Sequence, residues 1–190
     1  MEACAHHAFR PHQYACAEPL MLNLAQLQTS LGGIFTFEYS AAGVPVFSQL
    51  AGLTSPADAA SAWADALVTY CSGATAGGAS LSPPGQITAQ QPALQAKLAA
   101  SFALPTLPTL LTDMVNAIGD LYQVPPAVFG GFVITDTAAG RTAAIAALLA
   151  MPPTPDNLLA AATFATVLDT MVRTFTATMP GSPPVVVTLL

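Results

Sequence analysis

Ser55-Pro56-Ala57-Asp58-Ala59-Ala60-Ser61-Ala62-Trp63-Ala64-Asp65-Ala66-Leu67-Val68-Thr69-Tyr70-Cys71-Ser72-Gly73 reads as one complete helix with its own start and stop. Ser55 offers a hydroxyl to the free amides of the first turn. Pro56 stands at the first helical position, where a missing N–H costs nothing, and Asp58 faces the positive end of the helix dipole. Ala60, Trp63, Ala64, Leu67 and Cys71 then fall on one apolar stripe until Gly73 ends it.

The same pattern recurs in both directions along the chain. Leu20, Leu22, Leu24, Leu27 and Leu31 predict a short helix ended by Gly32-Gly33. Pro92 opens a helix with Leu94, Leu98 and Phe102 inward, broken by the repeated Leu-Pro-Thr of residues 104–109. From Thr109 to Tyr122, Leu110, Met114, Ala117, Ile118 and Leu121 keep helical spacing, and Pro125-Pro126 closes the element. Asp136 or Thr137 caps a helix running to Ala150. Thr154-Pro155-Asp156 starts what should be the longest helix, to about Thr178, with Phe164, Leu168, Met171, Val172 and Phe175 inward.

Strand patterns are fewer. Ile34 to Tyr39 alternates aromatic and polar residues, and Val44 to Phe47 is its hairpin partner, confined to an edge by Pro45. Val128 to Ile134 reads as a buried strand interrupted by Gly130-Gly131. Val185-Val186-Val187-Thr188-Leu189-Leu190 is a β-branched, apolar C-terminal strand that needs cover from its own sheet or from a partner's. Residues 72–91, rich in Gly, Ser, Ala and Pro, read as one long loop, and residues 1–19 as an extended N-terminal arm. The expectation is a helix-dominated α+β fold of about five helices around a small sheet. It forms a single domain over residues 20–190, with no internal repeat.

The chain has 190 residues, and four Lys and Arg with ten Asp and Glu make only 7% of it charged, against 53% hydrophobic. An ordinary soluble domain is about 25% charged. The hydrophobic content excludes intrinsic disorder. With Lys97, Arg10, Arg141 and Arg173 as the only permanent cations and a net charge of −6, no phosphate-tracking surface can form, so direct sequence-specific nucleic-acid binding is excluded. The longest clean apolar run, Thr142 to Met151, is half of what a transmembrane helix needs. Met1-Glu2-Ala3-Cys4-Ala5-His6-His7 lacks the basic and apolar regions of a secretory signal, which predicts a protein made and kept in a cytosol.

Enzymatic motifs are missing. There is no Gly-x-Ser-x-Gly elbow, no Gly-x-Gly-x-x-Gly and no His-Glu-x-x-His, and all three His lie between positions 6 and 12, away from any nucleophile in the helical region. The expectation is a non-enzyme without a cofactor. Cys4, His6, His7, His12 and Cys16 hold enough thiolate and imidazole for a tetrahedral zinc shell, but their spacing matches no standard finger. A Cys4–Cys16 disulfide is an alternative of similar weight, and a plain arm whose His and Cys contact neighbours is the favoured reading. Asp113 and Asp120 share a helix face without a third ligand and, like Asp169 and the other carboxylates, are expected at solvated positions. Cys71 is expected to be a small core residue.

A monomer of 19.3 kDa with so little charge has few means of keeping its copies apart. The sequence therefore predicts a structural subunit of a large symmetric assembly, with other copies of itself and other structural proteins as partners. By analogy with the use of such arms, a virion component fits: a phage or virus minor capsid, head-completion, neck or tail protein, assembled in the host cytoplasm. Arg10, Tyr14, Val186, Val187 and Leu189 are the expected interface residues. The alternatives are a self-associating cellular shell or surface protein, and a small apolar-ligand-binding protein or enzyme using the Phe129–Ile134 strand and the helix after Asp156 as pocket walls.

Overall fold

The computed structural model describes residues 22–34, 37–39, 45–47, 55–76, 79–80, 87–103, 106–123, 132–152, 156–179 and 185–189. Among them are six helices, α1 (Leu24–Ile34), α2 (Pro56–Ser72), α3 (Gln91–Phe102), α4 (Leu107–Leu121), α5 (Ala138–Leu149) and α6 (Asn157–Val172). Seven short strands accompany them: β1 (Phe37–Tyr39), β2 (Pro45–Phe47), β3 (Thr75–Ala76), β4 (Ala79–Ser80), β5 (Val133–Thr135), β6 (Thr176–Met179) and β7 (Val185–Thr188). The fold is α+β and helix-dominated, as its sequence pattern predicts. The arm, with Cys4, His6, His7, Arg10, His12, Tyr14 and Cys16, lies outside the described residues, as do Gly130 and Gly131.

Local chemistry sets the helix starts. Asn23 accepts from Gln26 N–H at α1, Ser55 from Asp58 N–H at α2, Thr137 from Gly140 N–H at α5, and Asp156 from both Leu158 and Leu159 N–H at α6. Proline occupies the first turn of α2, α3 and α4. Each helix packs on its sequence neighbours, and α6 returns to α1, so the six close into a ring. Trp63 of α2 fills its interior edge-on to Phe164 of α6 (5.2 Å between centroids) and Phe102 of α3 (6.3 Å). Leu27, Leu31, Leu67, Leu98, Ile118 and Leu168 complete one continuous core.

β5, β6 and β7 form an antiparallel sheet in that order, with Ile134, Ala177 and Val187 in register across it. Ile134 and Ala177 are buried with Phe175 and Leu189, so this side of the sheet joins the helical core. β1 pairs with β2 and β3 with β4 as separate hairpins, and a single bridge links Ala76 of β3 to Leu189.

Several sequence expectations need correction. α1 runs through Gly32-Gly33 to Ile34. Both glycines keep helical backbone, and the missing Cβ of Gly32 leaves room for Leu158 of α6, whose Cδ2 would lie 3.1 Å from it. α3 ends at Phe102 ahead of the Leu-Pro-Thr repeat as expected, but α4 starts inside the repeat at Leu107 instead of at Thr109, with Pro108 in its first turn, where a missing N–H costs nothing, and Thr106 and Thr109 sharing a hydroxyl bond across that turn. The 72–91 loop contains the β3–β4 hairpin and a 3-10 turn at Thr88–Gln90 preceded by buried Ile87. α6 stops at Val172, so α2, not α6, is the longest helix. Thr174 and Phe175 N–H close on the Met171 and Val172 carbonyls, and the chain turns into β6. There the alternation of Thr176 and Thr178 outward with Ala177 inward suits the centre of a sheet.

Candidate interaction surface

The polar groups of the described residues are mostly engaged within the fold. Lys97 of α3 pairs with Asp120 of α4 at 3.0 Å, and Arg141 of α5 pairs with Asp120 at 2.9 Å and with Asp136. Arg141 also donates to the Asn116 carbonyl at 3.0 Å, so one guanidinium ties α5 to α4 at two points, Asn116 and Asp120, and holds Asp136 just ahead of its own helix. The contact requires Gly119, since a Cβ there would fall 2.5 Å from Arg141 Cζ. Partial burial alone would raise the Asp120 carboxyl, but hydrogen bonds from Lys97 and Arg141 outweigh it and hold the group below its ordinary range. Asp120 is thus a bridging residue where the sequence suggested a solvated one; Asp113 is exposed. Lys97, Ser101, Asp113, Asn116 and Asp120 rim a shallow groove of about 320 Å³ between α3 and α4.

Asp169 is a second correction. It is buried, not solvated: Tyr70 O–H donates to its Oδ1 at 2.6 Å and Arg173 Nε to its Oδ2 at 2.7 Å. Arg173 Nη2 reaches on to the Leu22 carbonyl at 3.2 Å, so this network joins α2, α6 and the entry to α1. Beside it, Tyr122 O–H donates to Cys71 Sγ at 2.8 Å. Burial pushes the Cys71 thiol up to about 12. Burial, with the bond to Asp169, raises the Tyr70 phenol, and burial followed by the neighbouring Cys71 and Tyr70 raises that of Tyr122. These groups stay protonated and hydrogen-bonded, which makes them staples of the core and poor nucleophiles. Among the described residues no group of three His, Cys, Asp or Glu could hold a metal ion, and no helix is long and apolar enough to cross a membrane.

Exposed apolar side chains concentrate at the sheet. Val133 is 42% exposed, Met179 45%, Val185 56% and Val186 58%, four of the eight large apolar residues exposed among those described. Antiparallel partners project to the same side, so Val133, Thr178 and Val186 form one row across the outer face, and Thr135, Thr176 and Thr188 the next. Met179 and Val185 are paired on the opposite side, at the end of the sheet. The remaining exposed apolar residues include Leu149 at the end of α5 and Leu158 and Leu159 at the start of α6. α5 and α6 also flank an open apolar groove of about 330 Å³ lined by Ala143, Ala147, Val167, Thr170 and Met171 among others.

The interface residues expected from sequence therefore separate. Val186 is exposed on the outer face. Val187 is half-buried and faces the core beside Ala177, and Leu189 is fully buried, donating its N–H to Phe175. Only the inner side of the strand finds cover, in the core beneath its own sheet, and Leu189 is off the surface of a single copy while Val186 stays exposed. Val133, Thr178 and Met179 were missed because an apolar residue in a short strand shows its face only once the strand's partners are known. Compared with known protein families, with curated proteins and with solved structures, the chain matches none.

Proposed function

We propose that this chain is a non-catalytic structural subunit of a large symmetric assembly, with other copies of itself and other structural proteins as partners. The observation that carries the reading is the disposition of charge. Lys97, Arg141 and Arg173, the cations among the described residues, are each ion-paired within the fold, while the outer sheet face carries no ionisable group. An exposed uncharged sheet gives neighbours a surface that they can cover without desolvating a charge.

A virion component, of the minor capsid, head-completion, neck or tail kind and assembled in a host cytoplasm, is the setting that suits such a subunit. Mass measurement of the full chain in native buffer tests the proposal. Species well above 19.3 kDa are expected, and a lone 19.3 kDa particle at high concentration overturns it. The α5–α6 groove favours a second reading, a binder of small apolar ligands, since its volume reaches the lower end of ligand sites. Saturable uptake of an apolar dye, abolished by Ala147→Arg, would support that reading.

A further inference from the structure

We infer that α1 is an exchangeable closing helix: α1 of one copy seats on α6 of another, in the place that its own α1 fills in a single chain. This rests on the assembly reading above and names one of its contacts.

Residue identities show no repeat, but burial does. The N-cap positions of the three longest helices, Ser55 of α2, Thr106 of α4 and Asp156 of α6, recur at nearly even intervals. Trp63, Leu67 and Cys71 stand at the same distances from their cap as Met114, Ile118 and Tyr122, and as Phe164, Leu168 and Val172, and all are buried. Every other buried position of α6 also has a buried counterpart in α2 and in α4. The helical part of the chain is thus three hairpins, α1–α2, α3–α4 and α5–α6, joined head to tail. The second helix of each packs on the first helix of the next: α2 on α3, α4 on α5, and α6 back on α1.

The three junctions are built alike. Gln91 donates to Asp65, Arg141 to the Asn116 side chain at 3.5 Å and Gln28 to Thr166 at 3.4 Å. Asp65, Asn116 and Thr166 hold one position in the repeat, and each donor stands three residues ahead of a buried residue, Leu94, Ala144 or Leu31. The first two junctions are bridged by the chain itself, through residues 73–90 and 122–137. No peptide connection holds the α6–α1 junction, so the same contact can be made between chains. The site is shaped for α1, and the partner it selects is a second copy of this chain.

Two features mark α1 as the helix that exchanges. Its link to α2, residues 35–55, is far longer than the equivalent links 103–106 and 150–156. With the β1–β2 hairpin intact and Phe37 paired with Phe47, residues 35–36 and 48–55 still reach up to about 35 Å, several times a helix-packing distance of about 10 Å. Within α1 only Leu27 and Leu31 are buried, so its release uncovers little of the core. On a neighbour both leucines are buried again, Gln28 meets Thr166, and Arg173 meets the Leu22 carbonyl, 3.2 Å away in the single chain. Because the contacts are the same, concentration and link decide the occupant. A lone chain closes on itself, and copies held side by side exchange.

The test locks the junction. Gln28→Cys/Thr166→Cys, in a chain with Cys4 and Cys16 changed to serine and Cys71 left buried, is joined within each chain by a short bis-maleimide at high dilution. Sedimentation equilibrium then compares the linked form with the unlinked variant and with wild type, after circular dichroism has shown the same fold in all three. Association at least ten-fold weaker in the linked form supports the exchange. Equal association of linked and unlinked forms overturns it and leaves the assembly reading standing. A wild type that stays at 19.3 kDa at every concentration overturns both. Mixing the single variants Gln28→Cys and Thr166→Cys at high concentration before linking gives a second readout. A linked pair that joins one variant to the other is expected, and its absence from associated protein overturns the exchange.

Discussion

Replacing Gly119 by alanine sets two opposed effects against each other. Alanine is favoured over glycine in a helix interior by about 1 kcal/mol, so propensity alone predicts a gain. The new Cβ would sit 2.5 Å from Arg141 Cζ and Nε, closer than any real contact. Because the guanidinium is the mobile end of a long side chain, it would swing away before helix α4 moved, and its bonds would go with it. The bond to the Asn116 carbonyl contributes about 1 kcal/mol. The pair with Asp120, whose side chain is 42% exposed, contributes less than about 1 kcal/mol. The better-buried pair with Asp136 contributes about 1.5 kcal/mol, and its loss leaves that carboxylate with the Gln123 amide at 3.3 Å. The losses outweigh the gain, and Gly119→Ala should destabilise the fold by about 2 kcal/mol, or about 4–8 °C in Tm for a chain of this size. Urea titration followed by circular dichroism measures it. In an Arg141→Met background, which leaves no guanidinium to expel, the same substitution should stabilise by about 1 kcal/mol, giving a coupling of about 3 kcal/mol. A stabilised Gly119→Ala in the wild-type background would refute the placement of Arg141 on the α4 backbone.

Three further outcomes follow from the buried groups and ion pairs. Tyr70→Phe removes the hydroxyl that bonds buried Asp169 and should cost about 2 kcal/mol in urea titration, as hydrogen bonds to charged groups do; a neutral result would show that carboxylate to be hydrated. Because the Asp120 carboxyl is held below its ordinary value in the folded state, the unfolded chain binds its proton first as pH falls. The stabilisation from Asp120 is thus complete above about pH 4 and is lost as the pH drops through the lowered folded value. Asp120→Asn should flatten that acid limb, and an unaltered limb would remove the Lys97 and Arg141 bonds as its cause. Cys71, buried with its thiol pushed up to about 12, should resist a thiol reagent near pH 8 until urea unfolds the chain, with peptide mapping to separate it from Cys4 and Cys16; rapid native labelling would mean that the packing of Tyr122 on Cys71 opens locally.

Most helix starts and inward stripes were legible from residues alone. Ser55, Thr137 and Asp156 cap amides two or three positions away, and stripes such as Leu94, Leu98 and Phe102 follow from spacing within one helix. Capping and periodicity are interactions between near neighbours in the chain, so a linear reading captures them. The scarcity of charge is likewise a property of the sequence, and it carries the functional proposal. Only the tertiary structure decided the features that depend on distant partners. The Thr176–Met179 segment became a strand because β5 and β7 pair on either side of it. Asp169 became a buried anchor because Tyr70, 99 residues away, meets it in the core. The C-terminal valines divide between core and surface according to register, and α6 closes on α1 to complete the ring. In each case the free energy comes from burying and pairing groups that the chain brings together only on folding, and nothing local in the sequence specifies those encounters.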